Sequence, residues 1–132
     1  MPDRHVVDSS AWLEYLADGP NADYFAPAIE ATEQLVVPVV SIYEVYKRVH
    51  LQRDESDALR AVALMQQGEV VELDLTLSLD AATLSMTHRM PMADSMILAT
   101  ARRYQAVLWT QDSDFKDIEG VRYRPAMKVK GE

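Results

Sequence analysis

His5-Val6-Val7-Asp8-Ser9-Ser10-Ala11-Trp12 is a short apolar run that stops at an acid and passes straight into a helical pattern. Read outward from there, the same unit recurs. Leu35-Val36-Val37-Pro38-Val39 leads into a helix expected over Ser41–Arg53, with Ile42, Val45, Tyr46 and Val49 on one face. Val70-Val71-Glu72-Leu73 leads into a helix over Leu77–His88, and Ala106-Val107-Leu108-Trp109-Thr110 and Val121-Arg122-Tyr123 supply two further runs. Helical spacing also marks Ser9–Asp18, Ala22–Ala31, Glu55–Gln67 and Met92–Tyr104. Short runs rich in Val and Leu, mostly unbroken by polar residues, are how strands buried on both faces read, and Val121–Tyr123 is the weakest of the five. Their alternation with helices predicts an α/β domain: a mostly parallel sheet of four to five strands with helices on both faces.

The acids fall at the ends of these units. Asp8 closes the first run, Glu44 lies early in the helix after the second, and Asp112 follows the fourth by two residues, with Asp114 two further on. Asp94 sits in the first turn expected after Pro91. In an open parallel sheet all strands end at one edge, and ligands bind there. Asp8, Glu44, Asp94 and Asp112 are therefore expected to converge although they are far apart in sequence.

Each acid alone has a plainer reading. Asp8 can cap a helix, Ser41 and Glu44 can form a capping box, Asp94 can complement a helix dipole, and Asp112 and Asp114 can shape a turn. Together they cannot be so easily dismissed. Four carboxylates at one edge, with no Lys or Arg among those loop positions, repel one another. A divalent cation resolves that repulsion, and hard oxygen ligands suit Mg²⁺ or Mn²⁺. Such a centre can hydrolyse a phosphodiester without a nucleophilic side chain.

Composition narrows the field further. The chain has 132 residues, which is the size of one domain, and 26% of them are charged, as in ordinary globular proteins. The absence of cysteine excludes disulfides, thiolate metal sites and a cysteine nucleophile. His5, His50 and His88 are too scattered for a His-based metal site. A net charge of −8 argues against passive binding of nucleic acid through a basic face. Residues 116–132 nevertheless carry a net +2, and 125–132 read as a flexible tail. With no apolar run of membrane-spanning length and no signal segment, a cytoplasmic protein is expected.

Four motifs, in order, carry a resemblance to the PIN-domain ribonucleases, and within them to the VapC-type toxins of toxin–antitoxin pairs. They are Val6-Val7-Asp8-Ser9-Ser10-Ala11; Pro38-Val39-Val40-Ser41-Ile42-Tyr43-Glu44-Val45; Met90-Pro91-Met92-Ala93-Asp94-Ser95; and Trp109-Thr110-Gln111-Asp112-Ser113-Asp114-Phe115. Met90 stands where family members usually have Gly. The resemblance implies a three-layer α/β/α sandwich formed by the whole chain, 1–132. It implies an endoribonuclease dependent on Mg²⁺ or Mn²⁺, with Asp8, Glu44, Asp94 and Asp112 as metal-binding and catalytic acids. Asp114, Thr110 and Ser9 are assisting candidates, the last two by orienting a carboxylate or water. It also implies an RNA substrate, a homodimer, and a VapB-type antitoxin.

Other residues divide between two readings. Trp12, Tyr15 and Leu16 form either core or an apolar groove for a partner helix. Met86, Met90, Met92 and Met96 are expected to fill core gaps. Lys47, Arg48 and Arg53 follow Glu44 and could steer RNA phosphates. Rival assignments are an RNA-processing nuclease with no antitoxin, a non-catalytic binding module whose acids are caps, and a phosphoacceptor domain. The last leaves Glu44 without a role.

Overall fold

All five apolar runs form strands in the computed structural model, which describes residues 3–127. The order is β1 (His5–Val7), α1 (Ser9–Leu16), α2 (Ala22–Glu30), β2 (Leu35–Pro38), α3 (Val39–Gln52), α4 (Glu55–Met65), β3 (Glu69–Val71), α5 (Leu75–His88), α6 (Met92–Arg103), β4 (Val107–Thr110) and β5 (Val121–Tyr123). A single 3-10 turn, Ser113–Phe115, follows β4. The sheet order is β3-β2-β1-β4-β5 and every pairing is parallel.

Side chains alternate across each strand and so sort the core into two layers. Val6, Val36 and Leu108 face one side, against Leu77 and Ala81 of α5 and Ile97 and Leu98 of α6. Val7, Leu35, Val37 and Trp109 face the other, against Ala11 and Trp12 of α1, Phe25 and Ile29 of α2, Val45 of α3, and Ala61 and Met65 of α4. This is the expected three-layer α/β/α sandwich.

The strand order also locates the site. Connections step outward from β1 through β2 to β3, then return across the sheet to β4 on the other side of β1. The sense of winding reverses between β1 and β4, and the carboxyl ends of those two strands open the crevice in which ligands of such sheets bind. Two helix starts matter here. Pro38 ends β2 with φ −63° and ψ 137°, and α3 begins on the next residue. Arg89 adopts a left-handed conformation (φ 55°) after α5. The chain then turns through Met90 and Pro91 to start α6.

Burial decides two of these readings. Trp12 is 0% exposed and belongs to the core, so it offers no surface to a partner. Met90 is buried as expected and Met96 packs partly, but Met86 and Met92 are 75% and 71% exposed. Of the expected tail, Pro125 is held by a hydrogen bond from Asn21 Nδ2 to its carbonyl at 3.0 Å. Residues 128–132 lie outside the described residues.

Candidate active site

Asp8 leaves β1 at the crevice and precedes α1, yet its side chain caps nothing. Its Oδ2 instead accepts from Thr110 Oγ1 at 2.8 Å and Ser10 Oγ at 2.7 Å. Thr110, the last residue of β4, is fully buried and also accepts from the Asp112 backbone N–H at 2.9 Å. One threonine hydroxyl thus couples the acid at the end of β1 to the acid beyond β4.

Glu44 is not in a capping box either. Because α3 begins at Val39, Ser41 lies inside the helix, and its buried hydroxyl has no partner among the described residues. Glu44 Oε1 accepts from Ser9 Oγ at 2.6 Å, which ties α3 to α1 across the crevice. Asp94 is in the first turn of α6 and 9% exposed. Asp112 caps the 3-10 turn, accepting from the Asp114 N–H at 2.9 Å. The turn rule therefore applies to Asp112, but it also presents Asp114 beside it.

Carboxylate oxygens of Asp94, Asp112 and Asp114 lie within 4.8 Å of one another. Asp8, Glu44, Asp94 and Asp112 all line one cleft of about 700 Å³, together with Ser9, Ser10, Tyr43, Lys47 and Arg48. None of these acids takes part in an ion pair among the described residues. Burial, with the nearby charges of Asp8, Asp112 and Asp114, pushes the Asp94 carboxyl up to about 8. Burial also raises Asp8, against the opposing hydrogen bonds from Ser10 and Thr110. A hard, oxygen-only donor set with uncompensated charge fits a divalent cation such as Mg²⁺ or Mn²⁺. It offers nothing to a soft metal.

A PIN-domain profile matches residues 5–121. The chain belongs to the PIN-domain family.

The PIN domain has clear likenesses among solved structures. A toxin–antitoxin complex from Klebsiella pneumoniae gives a TM-score of 0.73 at 21% identity, over 89% of this chain and 95% of that one. A sarcin–ricin-loop-cleaving VapC toxin from Mycobacterium tuberculosis gives 0.71 at 16% identity, over 87% and 95%. DNA-bound VapBC from Salmonella typhimurium gives 0.71 at 14% identity, over 94% and 98%. At such identities the likeness is one of fold. A search of curated proteins found no significant match.

The remaining candidates separate by position. Ser9 and Thr110 each donate to a carboxylate, as described above. Tyr15 is half-buried and its hydroxyl donates to Glu30 at 3.0 Å. Leu16, with Leu13, Val49 and Leu64, lines a groove between α1, α3 and α4 that shares Leu13 and Gln52 with the acid cleft. Lys47 and Arg48 reach the acid cleft, whereas Arg53 is engaged by Asp57 at 2.6 Å. His5 is structural: its Nδ1 accepts from Trp109 Nε1 at 3.1 Å. Among the described residues, no histidine lines the acid cleft.

Sequence reasoning passed over two residues as site components. Ser10 holds Asp8, and its signal was a second hydroxyl directly after the acid. Asn21, 2% exposed, donates through Nδ2 to Gln111 Oε1 and the Pro125 carbonyl, pinning the loop that carries Asp112. Nothing in Gly19-Pro20-Asn21 distinguished that role from an ordinary turn.

Proposed function

We propose that this PIN domain is an endoribonuclease dependent on Mg²⁺ or Mn²⁺ and acts as the toxin of a toxin–antitoxin pair. The observation that carries the reading is the convergence of the Asp94, Asp112 and Asp114 carboxylate oxygens, none of them ion-paired among the described residues, within 4.8 Å at the crevice between β1 and β4. Asp94, Asp112 and Asp114 would hold the ion, and Asp8 and Glu44, the other acids expected to bind it, line the same cleft. When bound, the ion would supply Lewis acidity toward a phosphoryl oxygen and make an attacking water more acidic. Thr110 and Ser10 fix the Asp8 carboxylate, and Ser9 fixes Glu44, so both acids keep one orientation through a catalytic cycle. Lys47 and Arg48 give RNA phosphates a cationic approach to an otherwise acidic cleft. No histidine pair stands in the cleft to enlist the RNA 2′-hydroxyl, so cleavage should leave a 5′-phosphate and a 3′-hydroxyl.

The toxin role rests on the fold shared with VapC toxins and VapBC complexes. Those complexes support a VapB-type antitoxin as partner, and its gene is expected beside this one. Expression in a bacterium tests the pair: the wild type should arrest growth, Asp94→Asn should not, and co-expression of the neighbouring product should restore growth. Unimpaired growth with the wild type, alongside RNA cleavage by the purified protein, would move the assignment to RNA processing.

A further inference from the structure

A second concavity adjoins the acid cleft, and the reaction described above does not use it. It has a volume of about 600 Å³ and lies between α3 and α4. Its lining is almost wholly apolar and aromatic, including Ile42, Tyr46, Leu59 and Val62. Tyr43, Lys47 and Leu51 line both this groove and the acid cleft, so the two are continuous across one ridge of α3.

That ridge has the chemistry of a nucleotide track. Tyr43 directly precedes Glu44 and is 60% exposed, with Lys47 over one face of its ring. Lys47, one helical turn on, places its Nζ 5.7 Å from the Tyr43 ring centroid. Lys47 and Arg48 form no ion pair among the described residues. Tyr46 and His50 meet edge to face at 5.6 Å within the groove. Cations for phosphates alternate here with rings for bases, the combination by which single strands are held.

The geometry points to the α3–α4 groove as a binding site for an unpaired nucleobase next to the scissile phosphate, with Tyr43 as its stacking platform. This rests on the ribonuclease reading and adds to it the site that positions the substrate. Continuity with the acid cleft and the cations on the shared ridge favour RNA over an apolar protein segment. A protein helix would have use for the leucines but none for free cations facing the acids.

The test measures binding by fluorescence anisotropy in an Asp94→Asn background, which prevents cleavage. Two labelled single-stranded RNA decamers serve as probes, one with all its bases and one with abasic residues at its centre. Tyr43→Leu should weaken binding of the complete strand about tenfold, the order expected for one stacked base. It should leave the abasic strand unchanged. Tyr43→Phe should bind both as the parent does. A 4-thiouridine probe should crosslink to residues 39–52. Equal affinity of parent and Tyr43→Leu for the complete strand would overturn the proposal, and so would crosslinks confined to other elements. If Tyr43→Leu weakened only the binding of the neighbouring gene's product, the groove would belong to a protein partner and the proposal would fall. Persistent metal-dependent cleavage in those cases would leave the ribonuclease reading standing. No RNA binding by the parent and no cleavage by the wild type would overturn both.

Discussion

With one hydroxyl Thr110 donates to Asp8 and accepts from the Asp112 N–H, and the Ser10 hydroxyl lies 3.4 Å from it. Thr110→Val keeps the shape and removes both contacts. It should cost about 1–3 kcal/mol in urea denaturation, because a buried carboxylate loses a donor and an N–H loses its acceptor. Trp12→Ala should cost about 3–5 kcal/mol, as for any fully buried Trp, and a change under 1 kcal/mol would contradict its place in the core. Asp94 makes a pH prediction. Its folded pKa lies above its unfolded value, near 8 against 3.8. The native state therefore binds the extra proton between those values, and stability falls as pH rises across that interval. Metal-free protein should melt lower at pH 8 than at pH 6, Asp94→Asn should flatten the slope, and Mn²⁺ affinity by calorimetry should rise from pH 6 to 8. Asp74 works in the opposite sense. Arg103 holds it down to about 2, so its contribution is lost as pH falls below 4. At this scale Asp8 was legible because it closes an apolar run, Glu44 and Asp112 because each follows one, and Asp94 because it opens the helix after Pro91. Their partners were less so: Ser41 and Glu44 have the spacing of a capping box, and only the start of α3 at Val39 shows why they do not form one.

The elements were legible where the pattern was long and blurred where a cap decided the boundary. The helix expected from Leu77 begins at Leu75, because Asp74 caps it by accepting from the Leu77 N–H at 2.8 Å. The helix expected from Ser41 begins at Val39, because Pro38 supplies an extended backbone and the next residue is already helical. Strand spacing left one demand invisible. A Cβ on Gly68, just before β3, would stand 2.8 Å from the Leu35 carbonyl oxygen. The backbone of β2 cannot yield there as a side-chain tip would. Gly68→Ala should therefore destabilise by about 1–3 kcal/mol, where an open position would tolerate the change. A melting temperature equal to the wild type's would show that the β2–β3 edge is looser than described.

For the whole molecule, the fold class followed from strands apolar on both faces, but the strand order did not. Nothing in the runs says that β4 returns to the far side of β1, although that reversal makes the crevice. An apolar stripe runs along α5: Leu75, Leu79 and Met86 lie at helical spacing and are 75%, 61% and 75% exposed. Such a stripe suits an isologous contact. If it forms one, the wild type should sediment as a dimer and Leu79→Glu as a monomer, while a wild-type monomer or an unchanged dimer would take that role from the stripe. The acid centre is the claim on which the rest depends. Its most direct test is cleavage of a defined single-stranded RNA by purified protein, with the product ends identified. Internal cuts in Mg²⁺ or Mn²⁺ that leave a 5′-phosphate and 3′-hydroxyl are expected, lost in EDTA and in Asp94→Asn. Cuts that persist in EDTA and carry a 2′,3′-cyclic phosphate would contradict the claim.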